Sequence, residues 1–215
     1  MQCSNQIMLI TYADSLGRNL RELHEILAAY YPGAIGGLHI LPFFPSSADR
    51  GFAPTRYDEV DPALGTWADV DALGDRYYLM FDFMINHISR KSAYYQDILA
   101  RGEQSPYWRM FLHYGAFWPN GEPTEEQLMR VYKRKPRAPY IEAVLDSGEK
   151  EKLWCTFSEE QVDLDVTTAV TDRFIHETVD SLAAHRMAIL RLDAFAYAVK
   201  KPDTNCFFVE PEIWN

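Results

Sequence analysis

Cysteine is scarce in this chain of 215 residues, limited to Cys3, Cys155 and Cys206. Their number is odd and their spacing matches neither a zinc site nor a disulfide framework, so they read as free thiols in a reducing compartment. No basic segment followed by an apolar core opens the chain, and no uninterrupted apolar run approaches the ~20 residues that span a bilayer. A membrane protein is not expected, and the expected location is the cytoplasm. Positive charge is also short, with 21 Lys and Arg against 31 Asp and Glu and a formal net charge of -10. General affinity for nucleic acid or anionic membrane needs a cationic face, so neither partner is expected. No Gly-rich phosphate loop follows a strand, which leaves no organic cofactor implied. No oxygen-rich loop of EF-hand type suggests calcium, and no metal site is read.

What is present is an ordinary globular composition, 47% hydrophobic and 24% charged, long enough to bury one good core. Thirteen Tyr, twelve Phe and five Trp supply rings that suit either a core or the CH faces of a sugar. The elements alternate. Met8 to Tyr12 reads as a buried strand, and Asn19 with Glu22 resembles a capping box for a helix bearing Leu20, Leu23, Ile26, Leu27 and Tyr30, ended by Pro32-Gly33. Leu38 to Pro42 is a second strand, Trp67 to Tyr77 a weaker helix, and Tyr78 to Met84 a third strand. Strands apolar on both faces between helices predict an α/β fold with a parallel sheet. After a short helix over Ser92 to Ala100, some sixty residues to Phe157 show little periodicity, which predicts a small inserted subdomain rather than a bare loop. The βα rhythm resumes with a helix from about Thr168 to Arg186 and a strand over Ala188 to Leu192, and Glu210-Pro211-Glu212 looks like the first turn of another helix.

Three short motifs carry chemistry. Arg191-Leu192-Asp193 leaves an apolar strand with two charges on one side, so the guanidinium can orient the carboxylate and favour its charged form. Alone, that pattern would more often describe a buried structural ion pair than a catalytic one. It is preceded by Asp82, Asn86 and His87 at the end of the third strand and by Gln161-Val162-Asp163-Leu164-Asp165 before the last helix.

In that order and spacing the motifs resemble the α-amylase superfamily, glycoside hydrolase family 13, and within it the sucrose phosphorylase and sucrose 6'-phosphate phosphorylase group. The closer resemblance rests on Leu9 to Tyr12, Leu38 to Pro42, Asp49-Arg50-Gly51-Phe52, Gln161 to Asp165, and Tyr197 placed four residues after Asp193, where amylases usually carry the His of a sugar-binding Lys-His pair. The resemblance implies the N-terminal half of a (β/α)8 barrel with a subdomain inserted after the third strand. Residues 1-100 would hold the first three βα units, 101-160 the insert, and 161-215 the return to the barrel through its fourth strand.

It implies roles as well. Asp193 would attack the anomeric carbon of a glucosyl unit, Arg191 would align it, and inorganic phosphate would then take the sugar as α-glucose 1-phosphate. Sucrose or sucrose 6'-phosphate would be the donor. His87, Asp49, Phe52, Phe157 and Gln161 would line the glucosyl pocket, with Asn86 bracing the loop, Asp82 supporting from within and Tyr197 facing the acceptor. Without the family argument, Asp49 is equally a turn residue before Gly51, and Phe157 could be core. The run Arg130 to Arg137 holds five cations and no acid, and there Arg134 and Lys135 are the phosphate-binding candidates, for free phosphate or for the phosphate of sucrose 6'-phosphate. The family's general acid, a Glu after the fifth strand, and its second carboxylate, after the seventh, find no match here, so the expectation is an N-terminal portion of a longer enzyme, marginally stable and inactive alone. A hydrolase or transglucosidase of the same family, and a non-catalytic carbohydrate-binding half barrel, are the rival readings.

Overall fold

The computed structural model describes residues 5–214, so Cys3 and Asn215 lie outside the described residues. In chain order the elements are β1 (Met8–Thr11), α1 (Leu20–Tyr30), β2 (Gly37–Ile40), α2 (Trp67–Gly74), β3 (Tyr78–Met84), β4 (His87–Ser89), α3 (Ala93–Arg101), α4 (Tyr114–Phe117), α5 (Glu125–Arg130), β5 (Tyr140–Val144), β6 (Lys150–Trp154), β7 (Gln161–Asp163), α6 (Ala169–Ala183) and β8 (Met187–Asp193). They fall into two compact units. One comprises the residues up to Phe83 with His176–Asp193, the other Met84–Ile175 with the residues from Ala194 on. No helix among the described residues is long and apolar enough to cross a membrane.

The first unit is a four-stranded sheet in the order β1-β2-β3-β8. β1 and β2 run parallel with Met8 opposite Gly37, and β2 and β3 run parallel with Gly37 opposite Tyr78. Such parallel pairs need crossovers, which α1 and α2 supply. α1 forms because Leu20, Leu23 and Leu27 recur at helical spacing, and all three are buried. Its start is half a capping box: Asn19 Oδ1 accepts from the Glu22 N–H at 3.0 Å, but the Glu22 carboxylate turns to the backbone N–H and guanidinium of Arg18 instead of reaching back to Asn19. Tyr30, expected on the apolar face, is 75% exposed. α2 has the complete box, with Thr66 and Asp69 exchanging bonds. Below the loop after β2 lies an aromatic core in which the Phe43 ring sits 4.5 Å from Phe44 and 5.1 Å from Phe81, and Tyr57 5.1 Å from Phe83. β1 and β8 form the sheet's two edges, where Ile10 is 62% and Leu192 38% exposed.

The second unit contains structure that the sequence pattern did not announce. β5 and β6 form an antiparallel hairpin, with Tyr140 opposite Trp154 and the turn closed by the Leu145 N–H donating to Glu149. β4 and β7 form a three-residue antiparallel ladder with His87 opposite Asp163 and Ser89 opposite Gln161. Tyr114, Trp118, Val131, Trp154 and Cys206 make the unit's own apolar cluster, so the hairpin has a core to pack on. Ser92 caps α3 by accepting from the Tyr95 N–H, one residue later than the expected start. Glu210-Pro211-Glu212 leads into a three-residue 3-10 turn, Glu212–Trp214, rather than the first turn of an α-helix. Cys155 and Cys206 are free and buried. Burial pushes the Cys155 thiol up to about 12, the nearby Asp163 carboxylate adds to this, and Arg137 opposes it.

Candidate functional site

Two constellations hold the residues singled out from the sequence. In the first unit they are organised by one buried carboxylate. Asp82 projects from β3 and is fully buried, with one oxygen 2.7 Å from His39 Nε2 and the other 2.5 Å from an Arg191 N–H nitrogen. The same Arg191 nitrogen lies 2.9 Å from Asp193 Oδ1. Arg191 and Asp193 are two residues apart on β8 and therefore share a face, which is how a single guanidinium reaches both carboxylates. Burial pushes the Arg191 pKa down, but its bonds to Asp82 and Asp193 outweigh that and raise it, so the group is a permanent cation. Asp193 ends its strand, its side chain is 19% exposed, and Ala194 after it adopts a left-handed conformation with φ 57°. The chain thus turns sharply away from the carboxylate. A nucleophile needs this combination of a held orientation and one accessible face.

Asp49 and Phe52 lie on the loop after β2. Asp49, Arg50 and Gly51 all have positive φ, and only glycine adopts that region freely. A side chain at Gly51 would lie 2.6 Å from the Pro42 carbonyl oxygen. Arg50 closes the loop by pairing with Asp14 at 3.0 Å and lying 3.9 Å over the Tyr12 ring. Asp49 is exposed and, with Tyr12, Asp14, Phe44 and Arg50, lines a cavity of about 340 Å³. Phe52 is half-buried beside it and is not part of that lining.

In the second unit, β4 carries His87 and β7 carries Gln161, and the two side chains meet at 3.2 Å. Asn86 lies 3.3 Å from the other ring nitrogen of His87. The Phe157 ring packs edge to face with its centre 5.3 Å from that of His87 and 5.1 Å from that of Tyr197, so the expected pocket residues of this unit form one continuous wall. Tyr197 extends it towards Phe207 at 4.9 Å and Tyr132 at 6.3 Å. Burial raises the Tyr197 pKa, and the Arg134 guanidinium, bonded to its hydroxyl, opposes the rise. Of the five cations between Arg130 and Arg137, Arg130 is taken by Glu126 at 2.6 Å and Arg137 by the carbonyls of Ala138 and Tyr140. Arg134 and Lys135 are exposed.

Sequence reading missed Lys200, whose side chain is 3% exposed and donates to Asp163 at 2.8 Å, Asn86 at 3.0 Å and the Tyr197 carbonyl at 2.7 Å. It missed Tyr132 and Phe207 as wall residues and His39 as the partner of Asp82. A lysine next to a second lysine reads as surface, and only the distant Asp163 makes it otherwise. His39 had a signal, being a polar residue inside the apolar run Leu38 to Leu41. Among the described residues, no three His, Cys, Asp or Glu side chains gather as metal ligands.

A family profile for the alpha-amylase catalytic domain matches residues 33–208. A sucrose phosphorylase of Streptococcus mutans is 59% identical over 214 residues, covering 100% of this chain and 44% of that protein. A sucrose 6(F)-phosphate phosphorylase of Thermoanaerobacterium thermosaccharolyticum is 41% identical, covering 100% of this chain and 45% of that protein. The crystal structure of sucrose 6F-phosphate phosphorylase from Thermoanaerobacter thermosaccharolyticum superposes with a TM-score of 0.96 at 42% identity, over 100% of this chain and 44% of that one. A trehalose-6-phosphate hydrolase of Bacillus licheniformis, at 16% identity and a TM-score of 0.74 over 90% of this chain and 36% of its own, shares the fold alone. The chain therefore spans less than half the length of these curated relatives. With the profile matched over most of its residues and the strand order of a barrel, this chain belongs to the α-amylase family, as the N-terminal half of its (β/α)8 catalytic domain.

Proposed function

We propose that this chain supplies the nucleophile and the glucosyl-binding wall of a retaining glucoside phosphorylase, which converts sucrose and inorganic phosphate to α-glucose 1-phosphate and fructose. The observation that carries the reading is the Arg191–Asp193 pair, 2.9 Å apart at the end of β8, in a chain so similar to a sucrose phosphorylase. Asp193 attacks the anomeric carbon as the bond to the fructosyl oxygen breaks, and a β-glucosyl ester forms on the carboxylate. The leaving oxygen takes its proton from a general acid, a role we assign to neither constellation. A phosphate oxygen then displaces the carboxylate from the opposite face, and two inversions give net retention. Arg191 holds Asp193 in line throughout. Within the second unit, His87 and Gln161 are the proposed partners of glucosyl hydroxyls with Phe157 packing on the ring, and within the first, Asp49 and Phe52 are the further glucosyl-binding candidates. Buried free thiols at Cys155 and Cys206 support a reducing, cytoplasmic location.

A second reading, with sucrose 6'-phosphate as donor, is favoured by Arg134 and Lys135, exposed cations that suit a phosphate on the fructosyl side. The test is product analysis on the full-length protein that carries this chain. Glucose 1-phosphate should form from sucrose and phosphate, and Asp193→Asn should lower kcat by about 10⁶-fold, the scale of losing a covalent nucleophile. Free glucose formed without phosphate dependence would replace this reading with a hydrolase, and turnover only of sucrose 6'-phosphate would establish the second.

A further inference from the structure

His87 has an amide group against each ring nitrogen. Asn86 Nδ2 lies 3.3 Å from Nδ1, and Gln161 Nε2 lies 3.2 Å from Nε2. A neutral imidazole has one bare nitrogen and an imidazolium has none, so only one of these amides can donate to the ring. Lys200 decides which. An ammonium has three donors and no acceptor, and Lys200 directs its nitrogen at Asn86 Oδ1 (3.0 Å), the Tyr197 carbonyl (2.7 Å) and Asp163 Oδ2 (2.8 Å). Asn86 and Asp163 are both fully buried. Turning the Asn86 amide over would aim its N–H groups at a buried cation, which removes that alternative.

Asn86 therefore keeps its nitrogen towards His87 Nδ1 and donates to it. Nδ1 is then the bare nitrogen, and the ring proton sits on Nε2. Gln161 is held differently, because its other amide atom meets Ser158 Oγ at 2.6 Å, and a hydroxyl donates or accepts equally well. The Gln161 amide can rotate to offer its oxygen to the Nε2 proton. Asp163 in turn is fixed by the Thr156 backbone N–H at 3.0 Å and the Thr156 hydroxyl at 2.5 Å, so the anchor of Lys200 is itself anchored.

We infer that Lys200 is a positioning residue that sets the tautomer of His87, holding an N–H at Nε2 for a sugar hydroxyl oxygen to accept. The tautomer follows from the bonding pattern, whereas its use on a sugar rests on the function proposed above. A ring held in this form meets its ligand as a donor, so a sugar hydroxyl oxygen that accepts the Nε2 proton does so by displacing the Gln161 oxygen from it.

The test is ¹⁵N NMR of histidine-labelled protein, in which the resonances of His87 are identified among the 6 histidines by their loss in His87→Gln. Wild type should show a pyrrole-like Nε2 and a pyridine-like Nδ1. Asn86→Asp keeps an acceptor for Lys200 but puts a carboxylate oxygen beside Nδ1, and should make Nδ1 pyrrole-like. Lys200→Met combined with Asp163→Asn, which avoids stranding a buried carboxylate, should release the Asn86 amide and mix the two tautomers. Should that double variant fail to fold, Asn86→Asp decides alone. A protonated Nδ1 in wild type, an unchanged spectrum in Asn86→Asp, or an unmixed spectrum in a folded double variant would overturn the inference. In kinetics of the full-length protein that carries this chain, Asn86→Asp should lower kcat/KM for sucrose about tenfold. If the tautomer moves as stated and kcat/KM does not, the tautomer lock stands and the sugar-binding reading of His87 falls.

Discussion

Asp82 is the residue whose replacement tests the first constellation most sharply, because both of its oxygens are engaged and it is fully buried. Asp82→Asn preserves shape and leaves one acceptor for Arg191 and one donor for His39. What it removes is charge assistance. A hydrogen bond to a charged group contributes about 1.5–3 kcal/mol and a neutral one about 0.5–1.5, so each converted bond loses about 1–1.5 kcal/mol. The Arg191 side chain is 41% exposed, so solvent recovers much of its share, and the total should be about 2 kcal/mol. Asp82→Ala goes further and leaves His39, whose side chain is 5% exposed, with its Nε2 facing an apolar gap. That variant should lose about 3–5 kcal/mol, the range for breaking a buried pair on one side. Urea denaturation reads both numbers as shifts in midpoint at constant slope. The ordering is the decisive feature. If Ala and Asn destabilise equally, or if Asn loses less than about 0.5 kcal/mol, the account of Asp82 as the charged hub of His39 and Arg191 is wrong.

The other predictions concern separate parts of the chain. Gly51→Ala should destabilise by about 1–3 kcal/mol, since φ is 103° and the added carbon meets the Pro42 carbonyl at 2.6 Å; a melting temperature within error of wild type would contradict the strained loop. Cys155 should resist alkylation in the native state at pH 9 and react in urea, because burial raises its pKa from 9.0 to about 12. The folded chain then holds a proton that the unfolded chain releases, so stability should fall as pH rises from 9 towards 12, and a stability flat over that window would refute the shift. Arg134→Ala should raise KM for phosphate about tenfold with little change in KM for sucrose, and the gap should narrow at high salt; an unchanged phosphate KM would move the acceptor site away from Arg134.

The parallel sheet was legible because its signals are local. Tyr78 to Met84 is apolar at every position but Asp82 and became β3 with those bounds, and the Leu20, Leu23 and Leu27 spacing gave α1 directly. The β5–β6 hairpin was not legible, because β6 begins Lys150-Glu151-Lys152 and reads as a solvated loop. Each of those charges has a partner instead: Lys150 pairs with Glu142 across the hairpin at 2.7 Å, Glu151 with His113, and Lys152 with Glu122. The β4–β7 ladder is too short for any periodicity and exists only through a pairing distant in sequence. The same holds at the candidate sites. Arg191 and Asp193 share one strand face and could be paired from spacing alone, whereas Lys200 acquires its role from Asn86 and Asp163, far back along the chain.

That three-residue ladder has a further consequence. His87 faces Asp163 and Ser89 faces Gln161, so the long stretch between them leaves and returns at neighbouring positions, about 5 Å apart as adjacent strands are. The closure is made by β4 and β7 themselves, and the hairpin and short helices lie beyond it. Residues added or deleted past Ser89 and before Gln161 change the size of what hangs from this neck, while the span its ends must bridge stays the same. Evolution can therefore rebuild the parts of that segment away from Thr156 and Phe157 to suit a different acceptor without moving His87, and lengthening the hairpin turn at Ser147-Gly148 is where such freedom is easiest to exercise.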